Sequence, residues 1–141
     1  MSKFITTVAN SIKATAVIGV NAGYGHANEA GLDLVGLGEL YKSVADSVTE
    51  SADIYVGAVI SPCKVLYKDE WRCPYGGEDA VRIESDCNPS YSDRPAAEYI
   101  EAWKAAFIAN IQALMEKLDQ TTVTVAFSDG DVVYIQRSAE E

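Results

Sequence analysis

Histidine and cysteine, the side chains that most often bind transition metals or act as nucleophiles, are scarce in this sequence of 141 residues. His26 is the only histidine, which excludes a zinc site with two histidine ligands. The cysteines Cys63, Cys73 and Cys87 are odd in number, widely spaced and without a Cys-x-x-Cys motif. We therefore expect no disulfide framework, no metal and no cofactor. The spacing gives no support to a cysteine–His26 nucleophile–base pair.

Basic residues are also few. Eleven Lys and Arg stand against 21 Asp and Glu, which gives a formal net charge of −10. Affinity for nucleic-acid phosphates depends on clustered Lys and Arg, so we expect no nucleic-acid partner. Docking on an anionic membrane is disfavoured for the same reason. A cationic ligand is compatible with this charge.

Long apolar runs are absent as well. The mildly apolar stretch at residues 4–20 is interrupted by Asn10, Ser11 and Lys13, which makes it a poor secretory signal. No run reaches the ~18 apolar residues that a membrane span requires. Together with the cysteines, which we expect to be reduced thiols, this pattern predicts a protein of the cytoplasm.

The rest of the composition is that of an ordinary globular protein. Apolar residues make up 48% and charged residues 23% of the chain. A chain of this length has room for one core, so we predict a single α–β sandwich domain over residues 1–141.

The periodicity of apolar residues predicts alternating strands and helices. Predicted strands lie at residues 14–20, 54–60, 80–84, 121–127 and 132–136, and predicted helices at residues 37–48 and 100–118. Asp129-Gly130 between the last two strands is a strong hairpin signal. The order β-α-β-β-α-β plus a hairpin strand predicts an α+β, ferredoxin-like sandwich with both helices on one sheet face. Another subunit is the simplest cover for the second face, so we expect an oligomer.

One segment carries a specific resemblance. Residues 57–83 read GAVISPCKVLYKDEWRCPYGGEDAVRI. A Gly-x-Val strand leads to Tyr67-Lys68, and ten residues separate Tyr67 from a Glu78 that opens the run Glu-Asp-Ala-Val-Arg-Ile. This pattern resembles the phage-encoded S-adenosylmethionine (SAM) lyases, formerly called SAM hydrolases.

The resemblance implies a fold, an assembly and a reaction. The fold is similar to the nitrogen-regulatory PII (GlnB-like) proteins, and the assembly is a homotrimer with active sites between subunits. The reaction converts SAM to 5'-methylthioadenosine and L-homoserine lactone. In phages this removes the methyl donor that host restriction–modification systems use.

Lactone formation suits a chain with so few nucleophiles and bases, because SAM carries its own nucleophile, the α-carboxylate, and its own leaving group, the sulfonium. Holding these groups in line lowers the activation free energy by up to about 7–11 kcal/mol. From charge we assign Glu78 to the substrate ammonium or to the neighbourhood of the sulfonium. We assign Tyr67 to a hydrogen bond with that carboxylate or with the substrate.

Substrate contacts are predicted in two loops and on the matched strands. The loops at residues 21–36 and 62–79 contain glycines that permit close backbone approach and tyrosines that can flank an adenine. The predicted binding residues are Tyr24, Gly25, Val59, Ser61 and Arg82.

Two other functions remain open at this point. A non-catalytic PII-like trimer would bind a nucleotide at the same clefts without converting it. An acidic mimic of DNA would spread its charge over an exposed face without a pocket.

Overall fold

The structure, a computed structural model, describes residues 3–21 and 33–138. In these ranges the strands are β1 (Ile12–Gly19), β2 (Val59–Val65), β3 (Glu78–Cys87), β4 (Thr122–Phe127) and β5 (Val132–Gln136). The helices are α1 (Leu34–Ala52) and α2 (Ala96–Leu118). This order confirms the predicted β-α-β-β-α-β sequence with a final hairpin strand. Neither of these two helices is long and apolar enough to cross a membrane.

The described strands form one antiparallel sheet in the order β2-β3-β1-β4-β5. Its first four members have the ferredoxin-like order, so the predicted α+β sandwich is confirmed, and β5 extends the sheet by one edge strand. This order places β1 between β3 and β4. The ends of strands that are distant in sequence therefore lie side by side.

Both helices pack on the same face of the sheet. Alternate residues of the strands point to them, including Ala16 and Ile18 of β1 and Ile83 of β3, all 0–1% exposed. Phe107 of α2 is fully buried and its ring lies 6.1 Å from that of Trp103. The predicted apolar face of α2 is thereby confirmed.

The opposite face, here called the open face, is covered by neither helix in the described part of the chain. It carries the other alternate residues of the strands. On β5, Val132 and Tyr134 are 65% and 62% exposed. The remaining open-face residues are Lys13, Thr15, Val17, Gly19, Val59, Ser61, Cys63, Val65, Glu78, Ala80, Arg82, Glu84, Asp86, Thr122, Thr124, Ala126 and Gln136.

The predicted start of the second strand is wrong by five residues. Asp53, just before the predicted start, ends α1 in a left-handed conformation, with φ of 56° and its N–H donating to Thr49 O. Ile54 and Val56 are buried outside any strand, and the Tyr41 hydroxyl donates to Val56 O at 2.8 Å. Burial raises the pKa of Tyr41 to about 12.

Pro62 lies inside β2. Proline has no backbone N–H to donate. Because β2 is an edge strand of the sheet, no neighbouring strand on its outer side requires a hydrogen bond from this residue.

The predicted hairpin between β4 and β5 is confirmed. Gly130 has a φ of +104°, which L side chains rarely adopt, and its N–H donates to Phe127 O. Lys104 of α2 donates to Asp129 at 2.8 Å and to Asp131 at 2.6 Å. These hydrogen bonds connect the hairpin to α2. These hydrogen bonds raise the pKa of Lys104.

Candidate functional site

Tyr67 and Glu78, the two residues assigned to the chemistry from the sequence, are in direct contact. The Tyr67 hydroxyl donates to Glu78 Oε2 at 2.8 Å. Glu78 is the first residue of β3 and pairs with Val65, the last residue of β2. Tyr67 lies two residues beyond Val65, so its side chain points to the same face and reaches back over the strand pair.

Two glycines close the loop that brings Tyr67 back to Glu78. Gly76 and Gly77 have φ of +80° and +97°, in the region that favours glycine. A Cβ on Gly77 would lie 3.0 Å from Val65 O and 3.1 Å from Lys64 Cβ. A larger residue at Gly77 would therefore push the end of β2 away from Glu78.

Tyr67 and Glu78 line a cavity of about 200 Å³ at one end of the open face. Three separate parts of the chain form it: the end of β1, the adjoining ends of β2 and β3 with Tyr67 in the loop between them, and the segment from α2 into β4. Its other lining residues are Val17, Gly19, Val65, Asp79, Gln120, Thr121 and Thr122.

The two carboxylates of this cavity differ in their electrostatic surroundings. Asp79 forms an ion pair with Lys64, with 2.6 Å between Oδ1 and Nζ. Glu78 is 7% exposed, and no cation pairs with it among the described residues. Its hydrogen-bond partner is the neutral Tyr67 hydroxyl, so its negative charge is available to a cationic ligand.

The other predicted binding residues lie elsewhere. Val59, Ser61 and Arg82 are on the open face, and Ser61 is the cross-strand partner of Arg82. Arg82 is four residues along β3 from Glu78, a distance of roughly 13 Å. Within one chain the structure therefore does not bring these three residues into the cavity. Tyr24 and Gly25, with most of the loop at residues 21–36, are outside the described residues.

None of the cysteines lines the cavity around Glu78. Cys87 is buried in the core, and burial raises the pKa of its thiol. Cys73 accepts a hydrogen bond from Tyr67 N at 3.5 Å. His26 is outside the described ranges. Within them, no group of three or more His, Cys, Asp and Glu side chains is placed to hold a metal ion.

Several cavity residues were not foreseen from the sequence. Val17 and Gly19 come from the end of β1, and Gln120 lies two residues beyond the last residue of α2. No spacing links these positions to Glu78, because only the sheet order brings them together. A glycine near the end of an apolar strand was the one local signal available.

Comparisons with known proteins give a consistent result. A family model described as SAM lyase matches residues 9–136. The solved structure of a phage SAM lyase in complex with S-methyl-5'-thioadenosine is similar, with a TM-score of 0.57, 17% identity, and coverage of 99% of this chain and 100% of that chain. A phage SAM lyase in its apo state has a TM-score of 0.62 and 14% identity over the same shares. No curated protein sequence matches.

Proposed function

Since the chain belongs to the SAM lyase family and is a SAM-degrading enzyme, we propose that it converts SAM to 5'-methylthioadenosine and L-homoserine lactone by attack of the substrate's own carboxylate. The observation that carries this proposal is the Glu78 carboxylate, which is sheltered in a cavity and held by Tyr67. SAM presents two cationic groups, the ammonium and the sulfonium. A carboxylate without a protein cation beside it suits such a substrate.

The proposed reaction needs neither water nor a proton transfer. One oxygen of the α-carboxylate forms a bond to the γ-carbon, the bond from that carbon to sulfur breaks, and the electron pair stays on sulfur. The negative carboxylate and the positive sulfonium are both neutralised. A cavity that excludes water therefore favours the transition state over the separated charges of the substrate.

In this scheme the protein's task is to orient the substrate. Glu78 fixes one cationic group of the methionine part, and Tyr67 fixes Glu78. The α-carboxylate is then free to fold back on the γ-carbon in line with the breaking bond. Correct alignment alone is worth up to about 7–11 kcal/mol, a large share of a typical enzymatic rate enhancement.

We also propose that the complete site lies between subunits of a PII-like homotrimer. The cavity in one chain is about 200 Å³, whereas pockets for ligands of this size are usually about 300–1,000 Å³. A second subunit on the open face would enlarge and close the cavity. Val59, Ser61 and Arg82 would then contact substrate bound at the partner's Glu78.

The proposal includes the setting of the reaction. We propose a single α–β sandwich domain that acts in the cytoplasm of a phage-infected host. There, loss of SAM would deprive restriction–modification methyltransferases of their methyl donor.

A simple incubation tests the proposed function. Purified protein mixed with SAM should release one 5'-methylthioadenosine for each SAM consumed, as measured by chromatography against standards. Recovery of unchanged SAM from a protein that binds it would contradict the proposal. That outcome would instead favour a non-catalytic PII-like regulator.

A further inference from the structure

Gln120 has its backbone fixed by two structural elements. Asp119 ends α2 in a left-handed conformation with φ of 53°, and Gln120 N then donates to Met115 O at 2.9 Å. On the other side, Gln120 O accepts a hydrogen bond of 3.2 Å from Arg137. These bonds set the side chain at the edge of the cavity.

The side-chain amide of Gln120 is oriented by two carbonyl groups. Its Nε2 donates to Asn21 O at 2.7 Å and to Leu118 O at 3.2 Å. Both N–H donors are thereby used. Turning the amide over would place its oxygen against two carbonyl oxygens, so the direction of Oε1 is determined by these partners.

The Oε1 atom of Gln120 points toward Gly19. A Cβ on Gly19 would lie 2.8 Å from Gln120 Oε1 and 3.6 Å from Glu78 Oε1. Both oxygens therefore border the space that a side chain at position 19 would occupy. Among the described residues neither oxygen receives a hydrogen bond, since Tyr67 donates to the other oxygen of Glu78.

We propose that Gln120 is a specificity-determining residue whose Oε1, together with Glu78 Oε1, binds the α-ammonium group of the substrate. This inference rests on the proposed function. Two free acceptors, of which one is charged, match a cation that has N–H donors. The ammonium has such donors and the sulfonium has none. The arrangement thus assigns Glu78 to the ammonium, which the sequence left open.

The same arrangement gives Gln120 a second contact that bears on substrate binding. Its amide holds the carbonyl of Asn21, the last described residue before the segment at residues 22–32. The Gln120 side chain therefore contacts both the segment that follows β1 and the proposed binding position of the ammonium group. Anchoring the ammonium leaves the adjacent α-carboxylate free to rotate toward the γ-carbon.

The test compares SAM with the analogue in which hydrogen replaces the α-ammonium group. Because the active enzyme converts both compounds, kcat/KM for each is measured from initial rates for wild type and for Gln120→Met, and binding of 5'-methylthioadenosine is measured by calorimetry. Wild type should prefer SAM, and Gln120→Met should lower kcat/KM for SAM about 10- to 100-fold while kcat/KM for the analogue stays unchanged. Binding of 5'-methylthioadenosine, which has no ammonium, should also be unchanged.

Gln112→Met serves as the matched control, because Gln112 is exposed on α2. It should retain wild-type discrimination. If Gln120→Met lowers thermal stability, Gln120→Asn provides a second variant, since it keeps the amide but draws its oxygen back from Glu78. It should lose the same preference for SAM.

Three results would overturn the inference. They are unchanged discrimination in Gln120→Met, equal losses for SAM and the analogue, and weakened binding of 5'-methylthioadenosine, which would assign Gln120 a structural role. Absence of turnover in wild type would refute the proposed function instead. Equilibrium binding of SAM and of the analogue to the inactive protein, measured by calorimetry, would then decide the role of Gln120.

Discussion

Replacing Glu78 by glutamine is expected to lower the rate of 5'-methylthioadenosine formation by about 100- to 1,000-fold while the fold is retained. The substitution removes a charge and little else. Glutamine has the same shape, and its amide oxygen can accept the hydrogen bond that the Tyr67 hydroxyl now gives to Glu78 Oε2. The loss follows because a neutral amide no longer holds the cationic group that orients the substrate.

Three further variants test whether the position of the Glu78 carboxylate matters, or only the negative charge of the loop. Tyr67→Phe should reduce the rate less than Glu78→Gln does, because it removes one hydroxyl and keeps the ring. Asp69→Asn and Glu70→Gln should be close to neutral, since both residues are exposed in a short 3-10 helix and line no part of the cavity. Rates are measured at saturating and at low SAM, with circular dichroism as the control for folding.

The account of Glu78 fails if Glu78→Gln is folded and as active as wild type. Equal losses in all four variants would indicate general disruption of the loop rather than a charge at one position.

An aspartate on the open face is expected to dissociate the assembly and with it the activity. Val132→Asp places a charge on a face that, in the proposed trimer, is buried against another subunit. A buried charge without a partner is costly, so association should weaken by at least about 100-fold. Sedimentation should show a shift from trimer to monomer, and 5'-methylthioadenosine formation should fall in parallel because each site needs two subunits.

Val35→Asp is the matched control. Val35 is 79% exposed, comparable to Val132 at 65%, but it lies on α1, on the other side of the sheet. This variant should remain trimeric and active. A stable monomeric wild type at micromolar concentration, or a Val132→Asp protein that is monomeric and fully active, would refute the proposed interface.

Much of the fold could be predicted from the sequence because its signals are local. The apolar face of α2 and the turn at Gly130 each depend on neighbouring residues, and both were confirmed. The second strand was placed too early because Ile54 and Val56 are apolar and buried, yet they lie in the core outside any strand. An apolar residue in the sequence indicates that its side chain is buried. Whether the backbone there forms a strand or an irregular segment depends on its hydrogen bonds to neighbouring strands.

The site was predictable only where it is local in sequence. Glu78 begins β3 and Tyr67 lies two residues beyond the end of the neighbouring β2, so their fixed spacing carried the information. Gln120 and Gly19 join them from the ends of α2 and β1, and their proximity depends on the sheet order. No pattern within a short window of sequence encodes such a contact.

Carrying out the reaction in water enriched in ¹⁸O tests most directly the central claim, that the substrate's own carboxylate displaces the sulfur. Products are analysed by mass spectrometry at times too short for spontaneous lactone opening. The account predicts unlabelled homoserine lactone in equal amount to 5'-methylthioadenosine, with no ¹⁸O in the γ-hydroxyl of any homoserine that forms later. Homoserine that carries ¹⁸O in its γ-hydroxyl from the first time point would show attack by water and would contradict the account.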